Sequence, residues 1–257
     1  MSRIEIVQFS YLSDNYGVLL NDSQTQQTVA IDAGEAEAYN EALDKRGWSL
    51  SQIWVTHHHW DHTDGINALY ERWECEVIGP AKHSASPIAH LSTGLQEGDS
   101  FQFADMSVEI LHTPGHTLDM INFYLPSENI LFAGDTLFSL GCGRIFEGDM
   151  EMMFRSMKKI SALPDETIIY CSHEYTQANG KFALSVDTDN VFLTDRLNEV
   201  KTLLNEGNPA IPTNLKLEKQ TNPFLRTSSS SIKKRLGIET ASEAEVFAAL
   251  RIAKDNF

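Results

Sequence analysis

The sequence predicts a mixed α/β fold in which helices cover β-sheets and a smaller helical region follows them. Short apolar or alternating runs recur between residues 3 and 171, and helical patterns interrupt them. From about residue 190 onward, the spacing of the apolar residues becomes helical. The chain has 257 residues, 42% of them hydrophobic, which is enough for one large core, or for one core plus a small appendage.

The strands are predicted from runs rich in β-branched and aromatic residues between turn-forming residues. The early runs follow one another as closely as the strands of hairpins do, and the later ones are separated by helical patterns. The predicted strands are residues 3–9, 16–21, 27–32, 51–56, 75–79, 106–111, 121–125, 130–133 and 167–171.

Helical periodicity predicts three helices among these strands, at residues 36–46, 63–73 and 150–161. In the tail, apolar residues fall on one face of a first helix and on one face of a second. They are Val191, Leu193, Leu197, Val200 and Leu204 for the first helix, and Val246, Phe247 and Leu250 for the second. Pro209 and Pro212 interrupt the helical pattern, and the serine run 228–231 is expected to cap a helix around Ile232.

The charge of the chain restricts its partners. It has 20 basic against 36 acidic residues, a formal net charge of −16, which disfavours a nuclease or any other protein that must neutralise a phosphate backbone. Residues 218–257 differ, with seven Lys or Arg against five acidic residues. A small anionic ligand is therefore expected to bind in this tail.

The start of the chain contains no apolar run of signal-peptide length, and no run of about 18 apolar residues occurs elsewhere. We therefore expect a cytoplasmic protein that does not engage a membrane. The three cysteines, Cys75, Cys142 and Cys171, are an odd number at wide spacing. This favours reduced, structural thiols over a disulfide framework.

Residues 56–62, Thr-His-His-His-Trp-Asp-His, concentrate four imidazoles and one carboxylate at the end of a predicted strand. Ordinary packing does not require such a segment, and a solvated histidine cluster is the alternative. The segment offers two candidate ligands at alternate positions, His57 and His59, and two adjacent ones, Asp61 and His62. A tight turn could therefore point them at two different centres. Imidazole and carboxylate without thiolate suit zinc, iron or manganese.

Three further candidate ligands each follow a predicted strand. His116 lies after a Pro-Gly turn, Asp135 follows Gly134, and His173 ends an apolar run. Taken singly they are ambiguous, because a carboxylate after glycine is often a turn or cap residue and a lone histidine is more often structural. His112, also near the turn, is expected to contact a ligand residue or to be buried, without binding metal itself.

Together these segments resemble the metallo-β-lactamase superfamily, whose pattern is His-x-His-x-Asp-His followed by isolated His, Asp and His. Residues 141–148, 171–176, 222–226 and 251–255 extend the resemblance, over essentially the whole chain, to the hydroxyacylglutathione hydrolase (glyoxalase II) family. The resemblance implies an αββα sandwich, residues 1–173, which forms the catalytic domain. A small helical C-terminal domain, residues 174–257, would bind substrate.

The resemblance also implies the ligand set of two divalent metal ions, with zinc as the first expectation and iron or manganese as alternatives. His57, His59 and His116 would hold one ion, and Asp61, His62 and His173 the other. Asp135 would bridge them, and a hydroxide shared by the ions would be the nucleophile, with Asp61 and Asp135 as catalytic residues. The remaining histidines would lie at the surface, in the core or against a ligand residue: His58, His83, His90 and His112.

By the same resemblance, five residues would bind glutathione: Arg144, Phe146, Tyr175, Arg251 and Lys254. Some relatives have a tyrosine at the position of Phe146, so a hydroxyl contact is lost here, and Asp64 replaces a common glycine. Independently of the family, Arg251 and Lys254 are spaced i, i+3, which lets both reach one carboxylate-bearing ligand. The alternative is a solvated helix end whose cations complement the helix dipole.

The implied activity is hydrolysis of S-(2-hydroxyacyl)glutathione, chiefly S-D-lactoylglutathione, to D-lactate and glutathione in methylglyoxal detoxification, by a monomer with a small-molecule partner. Three alternatives remain. A persulfide dioxygenase with one iron shares the histidine motif, although the Arg251 and Lys254 tail argues against it. A lactamase would be expected to carry an export signal, and an inactive metal-binding protein would bind metal without turnover.

Overall fold

The computed structural model describes residues 3–81 and 87–257. The chain divides into two compact units, each of which is described by itself. Unit 1 comprises Met1–His112 and Leu118–Glu128, and unit 2 comprises Thr113–Thr117 and Asn129–Phe257. Both units contain strands and helices, which confirms the predicted mixed α/β class.

Unit 1 is built mainly of strands. They are β1 (Ile4–Tyr11), β2 (Asn15–Asp22), β3 (Gln27–Ile31), β4 (Gln52–Trp54), β5 (Glu76–Pro80), β6 (Leu91–Leu95), β7 (Ser100–Phe103), β8 (Met106–His112) and β9 (Ile121–Leu125). The helices are α1 (Ala36–Arg46), α2 (Trp60–Thr63) and α3 (Ile66–Trp73). The first six strands form one sheet in chain order, antiparallel from β1 to β3 and parallel from β3 to β6. Strands β7, β8 and β9 pair antiparallel.

The core of unit 1 fixes the strand that leads into the histidine segment. Trp54, at the end of β4, is fully buried, and its ring lies 5.2 Å from that of Phe101, 5.5 Å from Phe103 and 5.2 Å from Phe123. Such aromatic contacts bury large apolar areas and prefer defined ring geometry. Strand β4 is thereby anchored against β7 and β9 two residues before the motif begins.

Unit 2 combines short strands with most of the helices. The strands are β10 (Ile130–Gly134), β11 (Leu137–Phe138), β12 (Gly141–Cys142), β13 (Ile168–Cys171) and β14 (Thr213–Asn214). The helices are α4 (Met150–Ser161), α5 (Thr176–Val186), α6 (Val191–Asn205), α7 (Leu215–Thr221), α8 (Ser230–Leu236) and α9 (Glu243–Asp255), with a 3-10 turn at Pro223–Leu225. Strand β13 pairs parallel to β10 and antiparallel to β14, and β11 with β12 forms a small hairpin.

Most predicted elements are confirmed. All nine predicted strands occur with ends within two residues of their predicted bounds, and α1 and α4 occupy their predicted ranges. The helix predicted over residues 63–73 is present as α3, which begins three residues later at Ile66, while Thr63 ends the separate helix α2. The backbone between them turns at Gly65, whose N–H donates to the carbonyl oxygen of Ala33 at 2.7 Å instead of continuing a helix.

Two details of the tail differ from the prediction. Ser229 precedes α8, but its side chain does not cap the helix; its hydroxyl lies 2.8 Å from that of Ser231. Val191, expected on a buried helical face, is 68% exposed, because it begins α6 at the surface. No helix in residues 3–81 and 87–257 is long and apolar enough to cross a membrane.

Candidate metal centre

In unit 1, the segment after β4 brings four of the predicted ligands together. Nε2 of His57 lies 3.0 Å from Nδ1 of His59, and Nε2 of His62 lies 3.4 Å from Oδ2 of Asp61. The potential ligand atoms of His57 and His62 are also within 4.8 Å of one another. His57 and His62 are fully buried, whereas His59 and Asp61 are partly exposed. One segment thus concentrates its polar atoms at the edge of the unit's core.

The path of the backbone around this segment is set by contacts with distant strands. Tyr11, at the end of β1, donates its hydroxyl to the carbonyl oxygen of Asp61 at 2.8 Å. Asn15, which begins β2, donates to Oδ2 of Asp61 at 3.0 Å. Gly34 lies so close that a Cβ there would collide with the same carbonyl oxygen of Asp61. Two side chains therefore fix the position of Asp61, and the absence of a Cβ at Gly34 leaves room for its carbonyl oxygen.

Asp32, which the sequence reasoning missed, is the hub behind the segment. It follows β3 with a φ of 59°, a left-handed conformation that is uncommon for residues other than glycine. Its carboxylate accepts from the backbone N–H of Thr56 at 2.7 Å, from the Thr56 hydroxyl at 3.1 Å, and from Nδ1 of His62 at 2.9 Å. The sequence does contain a signal for Asp32, because, like Asp135, it is an aspartate directly after an apolar strand.

These contacts fix which nitrogen of each ring faces the other polar groups. Because a carboxylate only accepts, Nδ1 of His62 donates to Asp32, and the neutral ring presents the lone pair of Nε2. The Thr56 hydroxyl gives its proton to Asp32 and so accepts from Nδ1 of His57, 2.9 Å away, which leaves Nε2 of His57 with a lone pair as well. This is the orientation that metal-binding histidines adopt when an outer oxygen holds the second nitrogen.

In unit 2, one carboxylate oxygen lies between two imidazoles. Oδ2 of Asp135 is 3.3 Å from Nε2 of His116 and 3.3 Å from Nε2 of His173. All three residues are at most 5% exposed. Nδ1 of His116 donates to the carbonyl oxygen of Arg144 at 2.7 Å, so the neutral ring again presents Nε2. The structure therefore brings these three predicted ligands together from three segments.

Glycines shape this part of unit 2. Gly134, immediately before Asp135, has a φ of 48°, and Gly115, immediately before His116, has a φ of 149°. A Cβ at Gly115 would also lie 2.7 Å from the Cβ of Met153 on α4. The positive φ values, which favour glycine, turn the chain sharply before both ligands. This agrees with the predicted turn at Pro114-Gly115.

The donor sets of both units fit a divalent cation. In the neutral tautomers that their Nδ1 partners fix, His62 and His116 present Nε2 lone pairs to carboxylate oxygens at 3.4 Å and 3.3 Å, with no hydrogen between the two acceptors. Buried charges need a partner or a metal, and nitrogen with carboxylate oxygen suits zinc or iron. A cation would convert these repulsive approaches into ligation.

Four histidines were expected outside the ligand set: His58, His83, His90 and His112. The second lies outside the described residues. His58 places Nδ1 2.9 Å from Oδ1 of the buried Asp119. His112 donates from Nε2 to a backbone carbonyl at 2.9 Å, and His90 stacks on the ring of Tyr70 at 3.9 Å. Each of these three therefore has a local structural contact.

The five residues predicted to bind glutathione all belong to unit 2. Phe146 is 60% exposed, and its ring lies 5.2 Å from that of His116. Arg144 has a side chain that is 63% exposed and lies 5.9 Å over the ring of Phe146. Tyr175, which is half-buried, stacks on His173 at 4.8 Å. Three of the predicted contacts are thus adjacent to ligands of the same unit.

The two predicted contacts on α9 differ from each other. Lys254 is half-buried and lies 5.6 Å over the ring of Phe182 and 5.7 Å over that of Phe257. Burial, followed by the nearby positive charges of Arg251 and Arg144, lowers the pKa of Lys254, while Asp255 opposes the shift. Arg251, by contrast, is only 4% exposed. Three cations therefore lie near one another in unit 2, and they differ in how far solvent or ligand can reach them.

Comparisons with known proteins extend over the whole chain. The metallo-beta-lactamase superfamily matches residues 18–173, and the family of hydroxyacylglutathione hydrolase C-termini matches residues 174–257. A hydroxyacylglutathione hydrolase from Ruegeria pomeroyi is 46% identical over 254 residues, covering 99% of each chain. Another from Brucella ovis is 45% identical over 255 residues, again covering 99% of each chain.

The fold comparison agrees. The crystal structure of ETHE1 from Myxococcus xanthus has a TM-score of 0.65 and 25% identity, and the match covers 97% of this chain and 98% of that one. The metallo-β-lactamase fold with a helical C-terminal region, as the sequence predicted, is confirmed. The domain boundary between residues 173 and 174 stays a prediction.

Proposed function

This chain belongs to the hydroxyacylglutathione hydrolase family of the metallo-β-lactamase superfamily and is a hydrolase, and we propose that it hydrolyses S-(2-hydroxyacyl)glutathione thioesters with two divalent metal ions. S-D-lactoylglutathione is the proposed chief substrate, with D-lactate and glutathione as products, in methylglyoxal detoxification. The observation that carries the proposal is that unit 2 contains both a carboxylate between two imidazoles and a group of cations suited to a carboxylate-bearing ligand. The monomeric state and the cytoplasmic location stay predictions.

For the metal ions we propose the ligand set that the family pattern assigns. His57, His59 and His116 would hold one ion, Asp61, His62 and His173 would hold the other, and Asp135 would contribute to both. The contacts within each unit support the choice of these residues as ligands, because their nitrogen and carboxylate oxygen atoms lie 3.0–3.4 Å apart. We propose zinc as the first choice, and iron or manganese suits the same donors. When bound, two such ions lower the pKa of water to about 7, supply hydroxide at neutral pH, and stabilise charge on a carbonyl oxygen.

The residues of the chain have three tasks in this reaction. The first is to orient the ligands, which Asp32 does for His62 and the Arg144 carbonyl does for His116. The second is to exclude water, since burial of His57 and His62 in unit 1, and of Asp135 in unit 2, strengthens the electrostatic interactions of each group. No residue is needed to protonate the leaving group, because the thiol of glutathione has a pKa of about 8.5 and its thiolate leaves readily.

The third task is recognition of the glutathione moiety, which carries two carboxylates and one ammonium. Arg144 and Lys254 present accessible positive charge, and charge-assisted hydrogen bonds to carboxylates are the stronger kind. Phe146 and Tyr175 offer ring surface beside ligands of unit 2. We propose that these four contact the ligand directly; Arg251, the fifth predicted contact, is enclosed by the protein in the same unit. In an acidic protein, this local positive charge would concentrate an anionic substrate.

The test is hydrolysis of S-D-lactoylglutathione by the metal-replete protein, followed as loss of the thioester, beside a thioester that lacks glutathione. We expect rapid, chelator-sensitive turnover that is selective for the glutathione thioester. Equal rates on both thioesters would remove the recognition assignment and leave the hydrolytic one. Bound metal without turnover of either thioester would favour a persulfide dioxygenase or an inactive metal-binding protein instead.

A further inference from the structure

Arg251 on α9 is enclosed by the protein although it is one of the residues predicted to bind glutathione. Its side chain is 5% exposed. Nη1 donates to the carbonyl oxygen of Cys142 at 3.0 Å, and Nη2 donates to Oδ1 of Asp255 at 2.8 Å. The guanidinium also lies 5.3 Å over the ring of Phe224. Two of its three nitrogens are thus used inside unit 2, where a ligand carboxylate would have to displace existing contacts.

The carbonyl that Arg251 holds belongs to a short stretch that touches the ligands of unit 2. This stretch, Cys142 to Arg144, is called the strap. Its last residue supplies the carbonyl that accepts from Nδ1 of His116 at 2.7 Å. Its middle residue, Gly143, lies so close to Asp135 that a Cβ would collide with the Asp135 carbonyl oxygen. The strap therefore lies between α9 and two of the proposed metal ligands.

The strap is connected to α9 at both of its ends. Arg251 holds Cys142, and Asp255 places Oδ1 3.8 Å from Nε of Arg144 while it also accepts from Arg251. The rigid guanidinium fork donates to the carbonyl and the carboxylate at once in a fixed geometry, which a rotatable ammonium does not fix. A substitution at Arg251 would therefore disturb the position of the strap directly. Its effect on the positive charge available to a ligand would be secondary, because the side chain is enclosed.

We infer that Arg251 is a positioning residue for the metal centre: it seats the strap so that the Arg144 carbonyl holds the His116 ring in the orientation that a metal ion requires. The inference rests on the proposed function only in treating His116 as a ligand. Outer partners that orient a ligating histidine commonly govern metal affinity as much as activity. Arg251 would thus affect every substrate, including one without glutathione.

The experiment compares Arg251→Lys and Arg251→Ala with the wild-type protein. Metal-free protein is titrated with zinc against a chromophoric chelator, and kcat/KM is measured on S-D-lactoylglutathione and on the thioester that lacks glutathione. We expect both variants to lose zinc affinity by on the order of 10-fold, at the lower end of what outer partners cost. We expect kcat/KM to fall by a similar factor on both thioesters.

Arg196 on α6 offers a matched control in the same unit. It is also 4% exposed, and it donates to the carbonyl oxygen of Ala210 at 2.6 Å and to Glu199 at 2.8 Å. Arg196→Lys should lower thermal stability without changing zinc affinity. A loss of zinc affinity equal to that of Arg251→Lys would mean that any buried arginine has this effect, and it would overturn the inference.

The remaining outcomes separate the inference from the proposed function. If Arg251→Lys keeps its zinc affinity and its rate on the truncated thioester but loses the glutathione thioester, Arg251 is a ligand contact and the inference is wrong. If Arg251→Ala does not fold, Arg251→Lys decides alone. If the wild-type protein binds zinc but hydrolyses neither thioester, the proposed function fails, and the zinc affinities of the variants still decide the role of Arg251. A wild-type protein that binds no divalent metal overturns both.

Discussion

Unit 1 supplies its four proposed ligands from one segment of seven residues, whereas unit 2 supplies three from three separate segments. Their supports differ as well. In unit 1 the outer partners are side chains: Asp32 for His62, and Asn15 for Asp61. In unit 2 the outer partner of His116 is a backbone carbonyl, that of Arg144.

This difference teaches where each half is vulnerable. A side-chain support can be removed by one substitution at the support itself, and its effect should stay local. A backbone support cannot be removed in this way, because every residue has a carbonyl. It is disturbed only by moving the chain, and so it depends on packing and on distant contacts such as that of Arg251.

The largest loss of metal binding and activity is expected when a proposed ligand itself is removed. In unit 2 this is the carboxylate of Asp135. In Asp135→Ala, the oxygen between His116 and His173 is gone, and bound metal and thioester turnover should be lost together. We expect activity to fall more than about 100-fold, since losing an outer partner alone typically costs about 10–100-fold. Metal content by elemental analysis and kcat/KM measure the result, and a variant that retains both would remove the bridging assignment.

The next effect tests the side-chain support of unit 1. Asp32→Ala leaves Nδ1 of His62 without its carboxylate, and zinc affinity should fall by about 10–100-fold in a chelator competition. Asp119→Ala is the matched control, because Asp119 also holds a histidine Nδ1 at 2.9 Å, but that of His58, which is not a proposed ligand. If the two variants lose equal affinity, orientation of His62 is not what Asp32 provides.

Alanine substitutions at one glycine of each unit, Gly34 and Gly143, are expected to have effects of intermediate size. A Cβ at Gly34 would collide with the carbonyl oxygen of Asp61, and a Cβ at Gly143 with that of Asp135. Overpacking of this kind costs roughly 1–3 kcal/mol of unfolding free energy. We expect urea unfolding to show this loss for both alanine variants, and Gly143→Ala to lower zinc affinity as well, because the strap also orients His116. Unchanged stability in both would contradict the close approach.

The smallest effect is a pH dependence of recognition. Because burial and neighbouring cations lower the pKa of Lys254, its ammonium loses its proton at a lower pH than an ordinary lysine with a pKa of about 10.4. As pH rises through the alkaline range, KM for the glutathione thioester should rise a few-fold while KM for the truncated thioester does not. Lys254→Arg should remove this rise, since arginine stays protonated. A rise that persists in this variant would assign the titration to another group.

Much of the fold followed from the sequence, and the exceptions have local causes. Strong apolar runs predicted β9 and β10, whose residues are all buried. Strand β6 was missed because Ser92, Thr93 and Gly94 are exposed and give no apolar alternation. The break before α3 could not be predicted, because it depends on a hydrogen bond from Gly65 to a carbonyl that lies 32 residues earlier in the chain.

The candidate site divides in the same way. The segment 57–62 could be identified from spacing alone, since its ligands are neighbours in sequence. His116, Asp135 and His173 became interpretable only through resemblance to a family, because each alone has a common structural explanation. Asp32 was missed although it directly follows a strand, as Asp135 does. The burial of Arg251 depends on the packing of α9, and i, i+3 spacing carries no information about it.

The cysteine whose carbonyl Arg251 holds gives this site its own reporter. Cys142 is buried, and burial raises the pKa of its thiol to about 11 despite the nearby guanidinium. At neutral pH the thiol is therefore protonated and shielded, and an alkylating reagent can react with it only after the surrounding structure opens. The rate at which Cys142 is labelled would measure how often that opening occurs, without any substrate or metal present. Cys142 is thus a built-in probe of local unfolding beside the proposed recognition residues.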